Sequence, residues 1–240
     1  MPSIHNHWPA ILSKIDYCAA KLSFLYSTSI RVPLSLEHSK DREIFKDTSG
    51  STQSFFSDLL DLVSVLFSQA PDFMSSRFKD NVWPLLAKVL RSQLKWTLLH
   101  DNNVKSSDLQ RPTCSDRTRN KVTEKILKCI AKVFAESTLI ILIPSVGDSC
   151  MPFLAHRGAV GEAAMNAMKA MLRLDFTYLW RSLIQLAKKD IDPNPLGLQE
   201  DVKSIVKCVT IDEDSPINII CERARLLLKF IDEMEEQELC

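Results

Sequence analysis

Residues 72–90 read DFMSSRFKDNVWPLLAKVL, and this stretch decides the fold class. Its apolar residues recur every three to five positions, which predicts an apolar stripe along one helix, and Asp72 can cap the start of that helix. Pro84 falls inside the periodic stretch, where it removes one backbone hydrogen bond and clashes with the preceding turn. The helix must therefore bend there or restart near Asp80 or Asn81. A bent helix of this kind is typical of an α-solenoid, whose layers curve around a shared core.

Helical periodicity also dominates the rest of the chain, with polar or proline-rich interruptions between the apolar stretches. Helices come in pairs of roughly 40 residues, the period of HEAT-type and armadillo-type repeats. We therefore predict an all-α fold, a HEAT/armadillo-like α-solenoid of stacked antiparallel helix pairs that forms a single helical repeat region over residues 1–240. Four interruptions are predicted within it: mobile loops over 27–52 and 100–116, a proline-rich break over 190–198, and an acidic tail over 233–240 that frays because negative charge disfavours a helix C-terminus.

Composition excludes several function classes. Lys plus Arg number 30 and so do Asp plus Glu, so the chain carries no overall charge that would attract nucleic acid or a membrane. The longest apolar run, 139–143, is far shorter than the ~20 residues of a membrane span. The seven cysteines are odd in number and scattered, which argues against a disulfide framework or a zinc site. Reduced thiols predict the cytoplasm as the compartment, with the nucleus as the alternative.

No catalytic, cofactor-binding or metal-binding residue is predicted. Ser204 and Lys207 have the spacing of a serine–lysine nucleophile, but no base, orienting group or oxyanion site accompanies them. The five glycines form no loop that could cradle a phosphate. An enzyme is therefore not expected.

A cluster of basic residues is the best candidate for partner binding. It begins with Arg111 on the predicted loop and continues along one flank of the helix that follows with Arg117, Arg119, Lys121, Lys125, Lys128 and Lys132. Three interpretations stay open: contact with an acidic protein surface, contact with nucleic acid, and an ordinary solvated helix face. Nucleic acid is the least favoured partner, because no aromatic residues stand between the basic ones to stack on bases.

Eight residues are predicted to form the structural core of the repeat layers: Phe73, Phe78, Val82, Trp83, Pro84, Leu86, Trp180 and Leu183. Trp83 and Trp180 could alternatively anchor an interface, since buried aromatic side chains are frequent binding hot spots. Their position on apolar helical stripes favours the core.

Two signatures resemble a known family. One is Asp72-Phe73, then Arg77-Phe78, then Val82, Pro84 and Leu86; the other is Glu162-Ala163-Ala164, then Asp175, Trp180 and Leu183. At this spacing the chain is similar to the C-terminal part of the large HEAT-repeat subunit of the TTT (Tel, Tti, Tti) co-chaperone complex, the Tel-interacting protein of Tti type. A third similarity, Thr118 to Val122, is to plant members. The resemblance covers roughly residues 55–190.

The resemblance implies a non-enzymatic scaffold. With its two partner subunits, such a scaffold helps the heat-shock chaperone system to mature phosphatidylinositol-3-kinase-related kinases. Expected partners are thus the other TTT subunits and, indirectly, the chaperone and the kinases, with no membrane. Because family members are much longer than 240 residues, the resemblance also implies a fragment of a longer array, a truncated gene model or a shortened paralogue. The alternative is an unrelated armadillo-like adaptor that uses the basic helix face from Lys121 to Lys132.

Overall fold

The computed structural model describes residues 2–28, 40–101, 116–187 and 216–238. Every regular element in these ranges is helical, and no strand occurs within them. The predicted all-α class is thereby confirmed. The α-helices are α1 (Pro2–Thr28), α2 (Lys40–Gln69), α3 (Pro71–Arg77), α4 (Trp83–Asp101), α5 (Asp116–Glu136), α6 (Ile143–Cys150), α7 (Ala159–Leu174), α8 (Thr177–Ala187) and α9 (Pro216–Glu238).

The chain divides into two compact units, residues 1–126 and 127–240. In the first unit α1 packs against α2 and α4, and α2 packs against α3. The apolar faces of these helices are buried because their large side chains recur at helical spacing and meet in one core. Its fully buried members include Ile15, Leu22, Tyr26, Phe56, Leu60, Val63, Phe67, Met74, Phe78 and Leu86.

Pro84 is accommodated by a π-helical turn, Phe78–Val82, that joins α3 directly to α4. In an α-helix the residue at position 84 would donate to the carbonyl of Asp80, and proline has no N–H to donate. The turn widens before the proline: the backbone N–H of Trp83 donates to the carbonyl of Phe78, five residues earlier. The change of direction predicted near residue 80 is thus a π-turn. Pro84 itself is exposed, so its assignment to the core was wrong.

Aromatic contacts hold this segment against its neighbours. Phe78 meets Phe67 of α2 edge to face with ring centroids 6.0 Å apart, and Phe73 meets Trp8 of α1 at 6.4 Å. The guanidinium of Arg77 lies 3.5 Å from the centroid of the Phe73 ring, and its Nη1 donates to the Phe73 carbonyl. Phe73 is accordingly half-buried. Val82, Trp83 and Leu86 are buried between these contacts.

In the second unit α9 packs against α8, α7 and the 3₁₀ turn Met151–Ala155. An arginine fastens this turn: Nη1 of Arg223 donates to the carbonyls of Leu154 and His156. Gly158 precedes the first residue of α7, and its φ of 67° is a conformation that glycine adopts readily. A Cβ at Gly161 would overlap both Arg223 and the His156 carbonyl, so glycine is required where the arginine crosses α7.

Several predicted interruptions differ from the observed helices. The mobile loop predicted over 27–52 is wrong for 40–52, since α2 begins at Lys40, and residues 27 and 28 still belong to α1. The loop predicted over 100–116 overlaps α4 and α5 at its two ends. α9 continues through Glu238, so residues 233–238 are helical. Residues 29–39, 102–115, 239–240 and the predicted break at 190–198 lie outside the described residues.

Candidate protein-binding surfaces

The candidate functional residues of the described part of the chain lie on helix surfaces. In these ranges no three His, Cys, Asp or Glu side chains come together as a metal site would require. The described free cysteines, Cys18, Cys129, Cys150 and Cys221, are all buried, and burial raises the pKa of the Cys150 thiol to about 12. Ser204 and Lys207 lie outside the described residues. Among the described helices, none has both the length and the apolar content needed to cross a bilayer.

Four of the predicted basic residues share one face of α5. Lys121, Lys125, Lys128 and Lys132, here termed the α5 lysine face, follow one another at steps of four, three and four residues, which places them in one row along the helix. Lys121, Lys128 and Lys132 are exposed. Lys125 is half-buried, and its Nζ lies 2.7 Å from Oδ2 of Asp61 on α2. With 32% and 61% of the two side chains exposed, this ion pair contributes at most ~1 kcal/mol to stability.

Arg119 does not belong to this surface. Only 1% of the residue is exposed, and its carbonyl accepts a hydrogen bond from the hydroxyl of Thr123, which is also buried. The spacing explains the error: Arg119 lies three residues before Val122 and seven before Ile126, so it projects from the apolar side of α5. That spacing was visible in the sequence. The side chain of Arg117 lies outside the described residues.

Trp180 was predicted to be a core residue, and this prediction was wrong, since 48% of it is exposed. The buried stripe of α8 consists of Leu179, Leu183 and Leu186. Trp180 follows Leu179 directly, so it projects about 100° further round the helix. There it is flanked by half-buried Ile184. The packing that fixes α8 is therefore supplied by the leucines, and Trp180 belongs to the surface.

A polar contact ties α8 to α6 near this surface. The hydroxyl of Tyr178 donates to Oδ2 of Asp148 at 3.1 Å. Partial burial raises the pKa of the Asp148 carboxyl, and the hydrogen bond from Tyr178 opposes the rise. Asp148 is still exposed at the surface, so the pair positions the two helices and leaves no enclosed acid for catalysis.

Sequence reasoning missed an exposed surface of the first unit that carries two large aromatic residues. It consists of Ala10, Ser13, Tyr17, Ala20 and Phe24, here termed the outer face of α1, and all five are exposed. Tyr17 and Phe24 are each 60% exposed. The signal was present, because these residues recur at steps of three or four on the side of α1 opposite its buried residues Ile15 and Leu22. The prediction for α1 used only its buried stripe.

Comparison with known proteins agrees with this picture. The sequence model of the family described as "TTI1 C-terminal TPR domain" matches residues 55–180, just over half of the chain. The matched range includes both signatures described above up to Trp180. TPR repeats, like HEAT repeats, are paired helices stacked into α-solenoids. No curated protein and no solved structure matches the chain.

Proposed function

The chain belongs to the family of the TTI1 C-terminal TPR domain, and on this premise we propose that it is a non-enzymatic scaffold subunit of a TTT-like co-chaperone complex. In that role it supports the maturation and stability of phosphatidylinositol-3-kinase-related kinases. The observation that carries the proposal is the family match over residues 55–180, which spans α3, the π-turn and α4 together with α5 to α7. A repeat domain of this class acts by presenting surfaces on a rigid helical frame.

The α5 lysine face is the proposed contact with an acidic surface of a partner subunit. Three of its lysines are exposed in one row, so a row of carboxylates on a partner helix can meet them without any change in α5. Lys125 contributes less, because Asp61 already neutralises it at 2.7 Å. The half-buried Glu124 lies next to the row and limits it to one side of the helix.

Co-purification tests the proposed complex. The full chain, tagged and expressed in cells of its own organism, should recover the other TTT subunits and at least one phosphatidylinositol-3-kinase-related kinase. Depleting the chain should lower the steady-state amount of those kinases. Recovery of neither subunit nor kinase, with the chain folded by circular dichroism, would contradict the proposal.

A matched pair of variants tests the lysine face. The triple variant K121E/K128E/K132E should lose the partner subunit. The control K79E/K88E/R91E makes the same change of charge at exposed positions of the π-turn and α4 and should retain it. Equal loss in both variants would point to net charge alone, and no loss in either would place the contact elsewhere.

The exposed lysines also favour a second candidate, an armadillo-like adaptor that contacts nucleic acid. Direct binding of an oligonucleotide separates the two. Three phosphate contacts would give a slope of about −3 in a plot of log affinity against log salt concentration, whereas a chain that uses the α5 lysine face only for carboxylates would not bind the oligonucleotide at physiological salt. A titration of a labelled oligonucleotide between low and physiological salt measures this slope. A cytoplasmic location, with the nucleus as the alternative, is part of the proposal and is tested by imaging a fluorescent fusion.

A further inference from the structure

We propose that the outer face of α1 is a second docking surface, and that it receives an amphipathic helix of a partner protein which carries carboxylates along one edge of its apolar stripe. This inference concerns a different helix from the α5 lysine face. It stands on the geometry of α1 and does not depend on the proposed complex.

The first argument is that α1 is apolar on two opposite sides. Ile15 and Leu22 are completely buried on the inner side, where α1 packs against α2 and α4. Tyr17 and Phe24 point the other way and are each 60% exposed, with Ala10 and Ala20 exposed beside them. A helix with apolar side chains on two opposite sides exposes one of them when only the other packs in the core, and such an exposed side is typical of an interaction surface. Exposed aromatic residues of this size are also the usual anchors of protein interfaces.

The second argument is that the surface has the shape that receives a helix. Tyr17 and Phe24 are seven residues apart, which is two turns or about 10.5 Å along the axis. The residues between and before them on this face are small, Ser13 and Ala20. Large rings that alternate with small residues form ridges and hollows, into which the side chains of another helix fit. Apolar anchors on the partner would then be expected at i, i+3, i+4 and i+7.

The third argument is charge, which identifies the kind of helix. Lys14 and Lys21 flank the aromatic residues on one side, three residues before and four residues after Tyr17. Nζ of Lys21 lies 5.8 Å from the centroid of the Tyr17 ring. Both lysines lie close enough to Cys18 to affect its thiol. Burial raises the pKa of the Cys18 thiol, and the positive charges of Lys21 and Lys14 oppose that rise. Asp16 projects about 100° away from Tyr17, towards the other edge of the face.

This charge pattern favours an acidic partner over a second copy of the chain. In a symmetric pair with antiparallel α1 helices the same patch meets itself with both lysine edges on one side of the apolar seam, so the lysines of the two copies repel. Carboxylates on a partner helix would instead pair with Lys14 and Lys21 at the rim while the apolar stripe covers Tyr17 and Phe24.

Site-specific photo-crosslinking in cells tests the proposal. The photoreactive residue p-benzoylphenylalanine replaces Tyr17 in the full chain, and the matched control carries it at exposed Lys88 of α4. After irradiation, mass spectrometry identifies the crosslinked peptide. The expected result is a segment of another protein with helical apolar spacing and at least two Asp or Glu along one edge, absent from the Lys88 control. That segment is then synthesised, and its affinity for the purified chain is measured by fluorescence anisotropy.

Two variants complete the test. K14E/K21E should weaken binding of the synthetic peptide at least about tenfold, and a peptide with its acidic edge changed to lysine should restore binding to this variant. Y17A/F24A should abolish binding while the urea midpoint changes little, because both side chains are largely exposed. The proposal is overturned if the crosslink joins two copies of the chain, if the captured segment lacks carboxylates, or if position 17 yields no more product than position 88.

Discussion

Replacing Gly161 by alanine should destabilise the second unit, although alanine is the better helix former. Gly161 lies in the first turn of α7 directly beneath the Arg223 guanidinium, which bridges the carbonyls of Leu154 and His156. A Cβ at this position would overlap both Arg223 and the His156 oxygen. One obstacle is a side chain that can move, and the other is backbone that cannot move without disturbing the turn before α7.

The magnitude follows from three contributions. Crowding of a well-packed site costs about 1–3 kcal/mol. Displacing the guanidinium removes a hydrogen bond from a charged donor to a carbonyl, which costs about 1.5–3 kcal/mol. The higher helix propensity of alanine raises the free energy of unfolding by about 1 kcal/mol relative to glycine. The free energy of unfolding of the second unit should therefore fall by about 1.5–5 kcal/mol.

Gly50→Ala is the matched control. Gly50 is also helical, in α2, and nothing lies within 4 Å of the position its Cβ would occupy. Only the propensity contribution applies there, so this variant should be unchanged or more stable by up to about 1 kcal/mol. The two variants make the same chemical change and are expected to differ in sign.

Urea unfolding followed by circular dichroism gives the two midpoints, and hydrogen exchange with mass spectrometry locates the effect. Protection should fall in peptides covering residues 151–165 and 218–230 and remain unchanged in α2 and α4. In an R223A background the cost of Gly161→Ala should be smaller, because one of the two obstacles is gone. If Gly161→Ala is as stable as Gly50→Ala, the assigned contact between Arg223 and α7 is incorrect.

Three further predictions follow from side chains described above. Trp83→Ala removes a buried side chain and should cost about 3–5 kcal/mol in urea unfolding, whereas Trp180→Ala should cost less than about 1 kcal/mol; equal costs would contradict the exposure difference. Cys150 should resist iodoacetamide at pH 8 in the native protein and react in urea, since burial raises its pKa to about 12 and the thiolate is the reactive form; rapid native labelling identified by peptide mapping would refute this. Asp175 accepts hydrogen bonds from Thr177, and these lower the pKa of its carboxyl in the folded state. Its contribution to stability is therefore present above the unfolded pKa of about 3.9 and is lost as the pH falls through the folded value. The stability difference between wild type and Asp175→Asn should accordingly shrink between pH 6 and pH 3, and a difference independent of pH would rule out this role.

Local sequence signals predicted the parts of the fold that depend on local chemistry. Pro216 is the first residue of α9, and Asp175 directly follows the last residue of α7, because prolines and short polar residues act on helix ends within one turn. Pro84 likewise forced a departure from α-helical geometry. Its form, a widened π-turn, depends on hydrogen-bond partners that periodicity does not reveal.

The missed features depend on contacts between distant residues or on which side of a helix meets a neighbour. The first turns of α2 are polar and read as a loop, yet they continue a helix whose later apolar residues pack in the core. Arg119 and Trp180 were assigned by residue type, while their helical angle decides their burial. The contact of Arg223 with the segment before α7 joins residues far apart in sequence, and no local pattern encodes it. For the candidate surfaces, the lysine row could be predicted from spacing, whereas the ion pair with Asp61 could not.

The π-turn before Pro84 amounts to a one-residue insertion in an otherwise continuous helical rod. Each residue added to a helix turns everything beyond it by about 100°. Deleting Lys79 or Asp80, both exposed, would therefore rotate Phe73 away from Trp8 while leaving α4 in place. In related sequences, substitutions at these two positions should be common and length changes rare. The reason is that the number of residues between Phe73 and Trp83 sets how far the helix around Phe73 is rotated about its axis relative to α4.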